Sequence, residues 1–216
     1  MNSPGRFAAV VLAGGGSTRM GVPKESLMVG QVTLLETVVR AVPEACPVVL
    51  VGPPSLWASL PGLADERVVR TREDPPGGGP CAGLAAGMAL VGEEVEWVQL
   101  LTCDLPRAAE VVQALAGREV PAGVDALVAV DSQGWPQYLC GLFRAPALRA
   151  ALAGEVRDRS VRGVLGDLRR AELRLPDELL ADVDDPDAAA AAGLELPVSG
   201  PRSDPDRPPS APAFRR

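Results

Sequence analysis

The sequence predicts an α/β fold, namely a three-layer, Rossmann-like, doubly wound domain with a mostly parallel sheet and one antiparallel hairpin strand. Apolar runs of strand length alternate with segments of helical period from residue 7 to about residue 143, and this βαβ order is typical of parallel sheets. The runs are continuous rather than alternating, which indicates strands covered on both faces. A chain of 216 residues has the length of one compact domain.

The individual elements follow from local patterns. Four apolar runs predict parallel strands at 8–12, 48–51, 97–101 and 126–130. Apolar residues at helical spacing predict helices at 34–42, 145–152, 160–168 and 188–192. Thr33 and Glu36 have the spacing of a capping box at the start of the first helix. A short strand at 68–69 leads into an alanine-rich helix, and a turn at 131–136 predicts a hairpin into an antiparallel strand at 138–143.

Composition excludes several classes of function. The formal net charge is −7, which argues against a nucleic-acid partner because binding the phosphate backbone needs a basic surface. Histidine is absent, so Ser-His-Asp catalysis, Cys-His catalysis and histidine-ligated zinc are excluded. The chemistry must therefore use carboxylates, cations and backbone amides.

The cysteines and the apolar segments bear on the cellular compartment. Cys46, Cys81, Cys103 and Cys140 form no CxxC pair, which favours reduced thiols in a cytoplasmic protein. The apolar run at 7–13 is too short to span a bilayer and continues into glycines and basic residues, so we interpret it as a strand and expect no membrane association.

The domain organisation is simple. We expect one domain over residues 1–197. Residues 198–216 are dense in Pro, Ser, Gly and charge, and such a segment cannot bury enough apolar surface to offset its ordering entropy. The sequence therefore predicts a disordered tail at 198–216.

A glycine-rich loop follows the first strand and carries the most informative motif. Residues 12–24 read Leu-Ala-Gly-Gly-Gly-Ser-Thr-Arg-Met-Gly-Val-Pro-Lys. Glycines let backbone N–H groups approach phosphate oxygens, while Arg19 and Lys24 offset phosphate charge. The spacing is neither that of a Walker A loop nor that of a dinucleotide fingerprint, and a tight turn is the alternative. Lys24 is the single lysine among 21 basic residues, which favours a nucleoside triphosphate site.

Asp104 is the candidate metal ligand. It follows the strand at 97–101, and ligands of open α/β sheets lie at the carboxyl ends of strands. A carboxylate beside a polyphosphate is a typical Mg²⁺ ligand. Taken alone, however, the position favours the alternative that Asp104 caps a helix beginning near Ala108.

Two further segments are weaker candidates. Residues 73–84 form a second glycine-rich loop in front of a helix, where Asp74 could accept from a base or a ribose; a Pro/Gly linker is the alternative. The acidic run at 182–187 is explained mainly as a helix start, with Asp184 as a minority candidate for a second metal ligand or a substrate contact. The basic run at 157–162 fits a solvated helix face or a site for an anionic acceptor.

Together these motifs resemble those of the molybdenum cofactor guanylyltransferases, which are nucleotidyltransferases with a glycosyltransferase-A-like fold. The matching segments are 12–15, 19–21, Lys24, 79–83, 103–106 and 183–186. The likeness covers about residues 7–193 in the family's order and spacing. It implies Mg²⁺-dependent transfer of GMP from GTP to the phosphate of molybdopterin, with release of pyrophosphate, and a molybdoenzyme or another cofactor-biosynthesis protein as a further partner.

The resemblance also implies residue roles. Leu12, Ala13, Gly14 and Gly15 would contact the nucleotide, Gly52 and Asp74 would lie near its nucleoside, and Asp104 would bind Mg²⁺. Arg19 and Lys24 would hold the phosphates.

This sequence departs from the family at a few positions. Gly52 stands where some relatives have Asn, Pro23 stands where Asp is common, and Asp182 and Asp184 replace asparagines. The glycine at 52 leaves a base or ribose contact open, and the aspartates at 182 and 184 leave the acceptor site and a second metal ligand open.

Three alternatives also remain open. The chain could transfer CMP to molybdopterin instead of GMP, it could transfer GMP to another phosphorylated acceptor, or it could be a non-catalytic cofactor carrier. The Gly14-Gly15 pair resembles the guanine-using branch of the family.

Overall fold

The computed structural model of the chain describes residues 7–14, 24–58, 65–183 and 185–195. The tail predicted at 198–216 lies outside these residues. Within the described ranges, no helix is both long and apolar enough to cross a bilayer.

The described residues form nine strands and eight α-helices. The strands are β1 (Phe7–Leu12), β2 (Met28–Val29), β3 (Val32–Thr33), β4 (Val48–Val51), β5 (Val68–Thr71), β6 (Trp97–Thr102), β7 (Ala126–Val130), β8 (Pro136–Arg144) and β9 (Arg170–Arg174). The helices are α1 (Leu34–Arg40), α2 (Pro54–Ala58), α3 (Gly79–Met88), α4 (Ala108–Ala116), α5 (Ala145–Leu152), α6 (Val161–Leu165), α7 (Asp177–Leu180) and α8 (Pro186–Ala191). A 3₁₀ turn covers Lys24–Ser26.

Seven strands build one sheet in the order β5-β4-β1-β6-β8-β7-β9. β8 is antiparallel to both of its neighbours, and the other pairs are parallel. The doubly wound, mostly parallel sheet with one antiparallel hairpin strand is therefore confirmed. β2 and β3 form a separate two-stranded hairpin.

Helices cover both faces of the sheet. On one face, which we call the α4 face, helices α1 and α4 pack Leu35, Val38 and Val111 against alternate residues of the strands. On the other, the α3 face, α3 and α5 contribute Leu84 and Leu148. Burial on both faces explains why the central strands are continuous apolar runs.

Local signals place several boundaries correctly. Thr33 caps α1, and its hydroxyl accepts from the Glu36 N–H. The Glu36 carboxylate in turn accepts from the Thr33 N–H at 2.8 Å. The capping box is therefore confirmed. The helix predicted at 160–168 begins after Ser160, whose hydroxyl accepts from the Gly163 N–H. It ends at Leu165, earlier than predicted, because Gly163 and Gly166 weaken helix propagation.

The sequence patterns miss β9. Its residues alternate between polar and apolar and belong to an edge strand, so the strand lacks the continuous apolar run used to find the others.

A small separate cluster joins the segment that follows Lys24 to the C-terminal end of the described residues. Leu27 and Leu34 pack with Val183, Ala189 and Leu194. Two backbone bonds between Met28 and Glu195, of 2.8 and 3.0 Å, close the same contact. The C-terminal segment therefore holds the segment that begins at Lys24.

Candidate functional site

The carboxyl ends of β5, β4, β1 and β6 lie at one edge of the sheet, because these four strands are mutually parallel. The chain winds from β1 to β4 and β5 on one side and continues to β6 on the other. Such a reversal of winding opens a crevice at the carboxyl edge, where open α/β sheets bind ligands.

Lys24 and Asp104 meet in this crevice. The Lys24 Nζ atom lies 3.4 Å from Asp104 Oδ2, and the two side chains are only 15% and 20% exposed. Lys24 is the first residue of the 3₁₀ turn, and its carbonyl accepts from the Leu27 N–H. Asp104 follows the end of β6. The two residues that sequence analysis assigned to the phosphates and to the metal are thus brought together.

Asp104 does not cap the helix that follows it. The N-cap of α4 is Arg107, which makes no side-chain capping bond. The capping interpretation of Asp104 is therefore wrong, and its carboxylate is oriented toward Lys24 instead of the helix.

The acidic C-terminal run also reaches this point. The Val183 N–H donates to the Asp104 carbonyl at 3.2 Å. Burial, together with the charges of Asp104 and Asp182, raises the pKa of the Cys140 thiol to about 12. Two carboxylates therefore act on the same buried thiol. Asp185 caps α8, with its carboxylate accepting from the Ala188 N–H at 2.8 Å, as the helix-start interpretation predicted. Asp184 lies outside the described residues.

The first glycine loop begins where β1 joins its neighbours. The Ala13 N–H donates to the Val51 carbonyl at 2.7 Å, and the Leu12 carbonyl accepts from the Cys103 N–H at 3.0 Å. Gly14 has φ +133° and is exposed, a conformation that glycine adopts readily. Gly15 and Arg19, which were predicted to contact the nucleotide and its phosphates, lie outside the described residues.

Position 52 requires glycine because the backbone of Ala13 approaches it closely. A Cβ at this position would lie 1.8 Å from the Ala13 carbonyl oxygen, and the Gly52 N–H donates to the Thr71 carbonyl. The glycine that stands where some relatives place Asn therefore lets the end of β4 pack against the glycine loop.

The second glycine loop is held by a segment distant in sequence. The Arg157 guanidinium donates to the Pro75 carbonyl at 3.1 Å, and the Asp158 N–H donates to the Gly78 carbonyl at 2.9 Å. Asp74 is exposed at the end of β5. Asp74 and Asp104 follow strands whose ends are separated by three strand spacings, or roughly 14 Å, along the edge.

Sequence analysis did not predict that the basic run at 157–162 binds the second glycine loop. Arg157 and Asp158 were read as a helix face or an acceptor site, whereas both contact the loop in front of α3. No local pattern could have paired segments 80 residues apart. No group of three or more metal-ligating side chains occurs within the part of the chain that the structure describes.

Comparison with known proteins identifies relatives along most of the chain. Residues 9–173 match the model of the MobA-like NTP transferase domain. A probable molybdenum cofactor guanylyltransferase of Synechococcus elongatus is 34% identical over 185 residues, covering 79% of this chain and 89% of the relative. A protein of the same description from Trichormus variabilis is 37% identical, covering 64% of this chain and 66% of its own length.

Solved structures with the same fold span nearly the whole described chain. The Rv0371c homologue from Mycobacterium sp. strain JC1 superposes with a TM-score of 0.67 at 21% identity, covering 88% of this chain and 96% of that one. Molybdopterin-guanine dinucleotide biosynthesis protein A of Archaeoglobus fulgidus gives 0.56 at 20% identity, with 86% and 96% covered. Rv0371c of Mycobacterium tuberculosis in complex with manganese gives 0.58 at 20% identity, with 87% and 97% covered. At these identities the likeness establishes the fold.

Proposed function

This chain is a nucleotidyltransferase of the MobA-like NTP transferase family, and we propose that it transfers GMP from GTP to the terminal phosphate of molybdopterin. The observation that carries the proposal is the 3.4 Å approach of the Lys24 ammonium to the Asp104 carboxylate at the crevice. The guanylyltransferase description of the relatives supports GTP and molybdopterin as substrates.

The order of the strands suggests how GTP lies. Asp74, at the β5 end of the edge, would contact the nucleoside, and residues 12–15 would follow the phosphates. Lys24 and Arg19 would bind the β- and γ-phosphates. Gly52, which packs against the Ala13 carbonyl oxygen, adds no side chain between the two ends.

The donor set fits a divalent cation, and we assign Mg²⁺ to Asp104. Mg²⁺ takes one or two carboxylates and completes its shell with phosphate oxygens and water, so the Asp104 carboxylate beside a triphosphate fits this ion. When bound, the ion would neutralise charge on the α- and β-phosphates. The manganese complex of the structural neighbour Rv0371c supports a divalent-cation site in this fold.

The residues of the chain act by position and charge. An oxygen of the acceptor phosphate attacks the α-phosphorus of GTP, the bond from that phosphorus to the α–β bridging oxygen breaks, and pyrophosphate leaves with the bond's electrons. Lys24 and Arg19 stabilise the charge that develops on the leaving group. No general base is needed because the acceptor phosphate is largely ionised at neutral pH, its second pKa being about 6. This agrees with a site without histidine.

Three rival functions make different predictions. A cytidylyltransferase would prefer CTP, and a guanylyltransferase of another acceptor would turn over without molybdopterin. A non-catalytic carrier would release no pyrophosphate. The close approach of Lys24 to Asp104 favours an enzyme over a carrier, because a protein that only carries a finished cofactor needs no metal ligand beside an ammonium.

The test is a competition between nucleotides. The full chain is incubated with Mg²⁺, molybdopterin and an equimolar mixture of GTP and CTP, and the dinucleotide is identified by mass. We expect the guanine dinucleotide and one pyrophosphate for each product. A cytosine product, or equal amounts of both, would contradict the choice of base. Absence of any dinucleotide and of pyrophosphate would contradict the transferase reaction on molybdopterin.

A further inference from the structure

A cavity lies on the α3 face of the sheet, next to the turn that follows β7. Its volume is about 590 Å³, within the range of sites for small organic ligands. It lies between the turn that joins β7 to β8 and the helix α6, and its lining includes Trp135, Tyr138, Arg162, Asp167 and Arg170. We call it the Trp135 cavity. None of these residues has a role in the donor site described above.

The cavity presents two aromatic rings and two cations. Trp135 is 54% exposed, and the Arg162 guanidinium carbon lies 5.5 Å from the centre of its ring. The guanidinium of Arg170 lies 5.8 Å from the centre of the Tyr138 ring and is paired with Glu172 at 3.0 Å. An exposed indole with a guanidinium beside it is a surface on which planar π-systems stack.

The backbone that carries the exposed indole is held in place by its turn. The Asp131 carboxylate accepts from the backbone N–H of Trp135 at 2.8 Å and from the backbone N–H of Gln133 at 2.9 Å. Ser132 is bound through its N–H and its hydroxyl to Asp177, at 2.8 and 2.6 Å. A large apolar side chain on a turn fixed by so many hydrogen bonds is preorganised for contact with a ligand.

The cavity lies on the β7 side of Asp104. β7 is parallel to β6, because each is antiparallel to β8, so the turn after β7 is at the same edge of the sheet as Asp104. Two strand spacings separate β6 from β7, or roughly 10 Å. Asp74 and Gly52 lie on the opposite side of Asp104, at β5 and β4. A donor that extends toward β5 therefore leaves the β7 side for the second substrate.

We propose that the Trp135 cavity binds the planar heterocyclic ring of the acceptor, with the ring on the Trp135 indole and Arg162 beside it. The inference rests on the proposed function, since it assigns the second substrate of the same reaction. The Asp167 carboxylate supplies an acceptor for ring N–H groups, and the acceptor phosphate extends about 10 Å along the edge to the Asp104 centre.

The test measures ring binding without turnover. Pterin-6-carboxylate, a fluorescent planar heterocycle, is titrated with the full chain in the absence of nucleotide, and fluorescence polarisation is recorded. We expect Trp135→Ala and Arg162→Ala each to weaken binding about tenfold, the scale of one lost stacking or cation–π contact. Leu90→Ala and Arg118→Ala serve as matched controls, because both residues are exposed and outside the cavity.

A kinetic arm uses molybdopterin and GTP. Both cavity variants should raise the KM for the acceptor and leave the KM for GTP within about twofold, as expected for lost uniform binding. The assignment of the cavity is overturned if wild-type protein shows no saturable binding of the pterin, or if the two variants bind it as tightly as the controls. Failure of the wild-type chain to form any dinucleotide overturns the proposed function instead, and the pterin titration still decides the cavity.

Discussion

The ammonium of Lys24 lies 3.4 Å from the carboxylate of Asp104, although 80 positions separate the two residues in the sequence. One residue follows the glycine loop after β1 and the other follows β6. These strands are hydrogen-bonded neighbours from Phe7 and Trp97 to Leu12 and Thr102. The parallel register of β1 and β6 thus delivers a cation and a carboxylate to one point of the crevice.

The first prediction concerns this pair. Asp104→Asn and Lys24→Ala should each lower kcat by about 100-fold or more, because each removes a charge aimed at the reacting phosphates. Pyrophosphate release at saturating GTP is the measurement. Asp187→Asn and Arg118→Ala, which change exposed charges of the same types, should keep wild-type rates. Rates within threefold of wild type in the two site variants would contradict both roles.

The second prediction concerns Gly52. A methyl group here would lie 1.8 Å from the Ala13 carbonyl oxygen, so Gly52→Ala should lower the free energy of unfolding by about 2–3 kcal/mol through overpacking. Urea denaturation measures the change. Gly154→Ala is the control, since its Cβ would meet nothing within 4 Å. Equal stability of the two variants would show that β4 and the glycine loop separate easily.

The third prediction concerns the four thiols. Cys46 is exposed, while Cys81, Cys103 and Cys140 are buried. Burial also raises the pKa of Cys81 and that of Cys140 to about 12, which suppresses the reactive thiolate. A thiol reagent at pH 8 should therefore label Cys46 rapidly, and Cys46→Ser should abolish the fast phase. A second fast thiol in the folded chain would contradict the described packing.

The fourth prediction concerns acid. Hydrogen bonds from Arg169 hold the pKa of Asp125 below its ordinary value of 3.8. The folded chain then binds fewer protons than the unfolded chain between the two pKa values. The stabilisation is therefore complete above pH 3.8 and is lost as pH falls through the folded pKa. Unfolding temperatures from pH 6 to pH 2.5 should fall less steeply for Asp125→Asn than for wild type. Parallel curves would contradict the shift.

The fifth prediction concerns the domain boundary, which we propose to lie at residue 197. Val183, Ala189 and Leu194 pack against Leu27 and Leu34, close to Lys24. A chain that ends after residue 197 should keep wild-type kcat and unfolding temperature. A chain that ends after residue 182 should lose both, because it lacks the apolar contacts that hold the Lys24 segment. Loss of activity in the longer chain would move the boundary into 198–216.

Part of the site could be predicted because its signals are local. The glycine loop, the single lysine and the aspartate after an apolar strand were each visible in a few residues. The requirement for glycine at position 52 could not be predicted, because it arises from close approach of the Ala13 carbonyl, which follows another strand. The same holds for Arg157, whose partner is the Pro75 carbonyl 82 positions away.

By itself, the sequence determined the α/β class and the order of strands β1 and β4 to β8 with most of the helices between them, whereas β9 has no apolar run by which to find it. Continuous apolar runs, helical spacing and a capping box report burial and backbone bonds within a few residues of each other. Only the tertiary structure decided that Lys24 contacts Asp104, that Arg107 and not Asp104 is the N-cap residue of α4, and that Trp135 is exposed beside Arg162. These relationships depend on which strands are neighbours in the sheet, and that arrangement arises from packing between segments that are distant in the sequence.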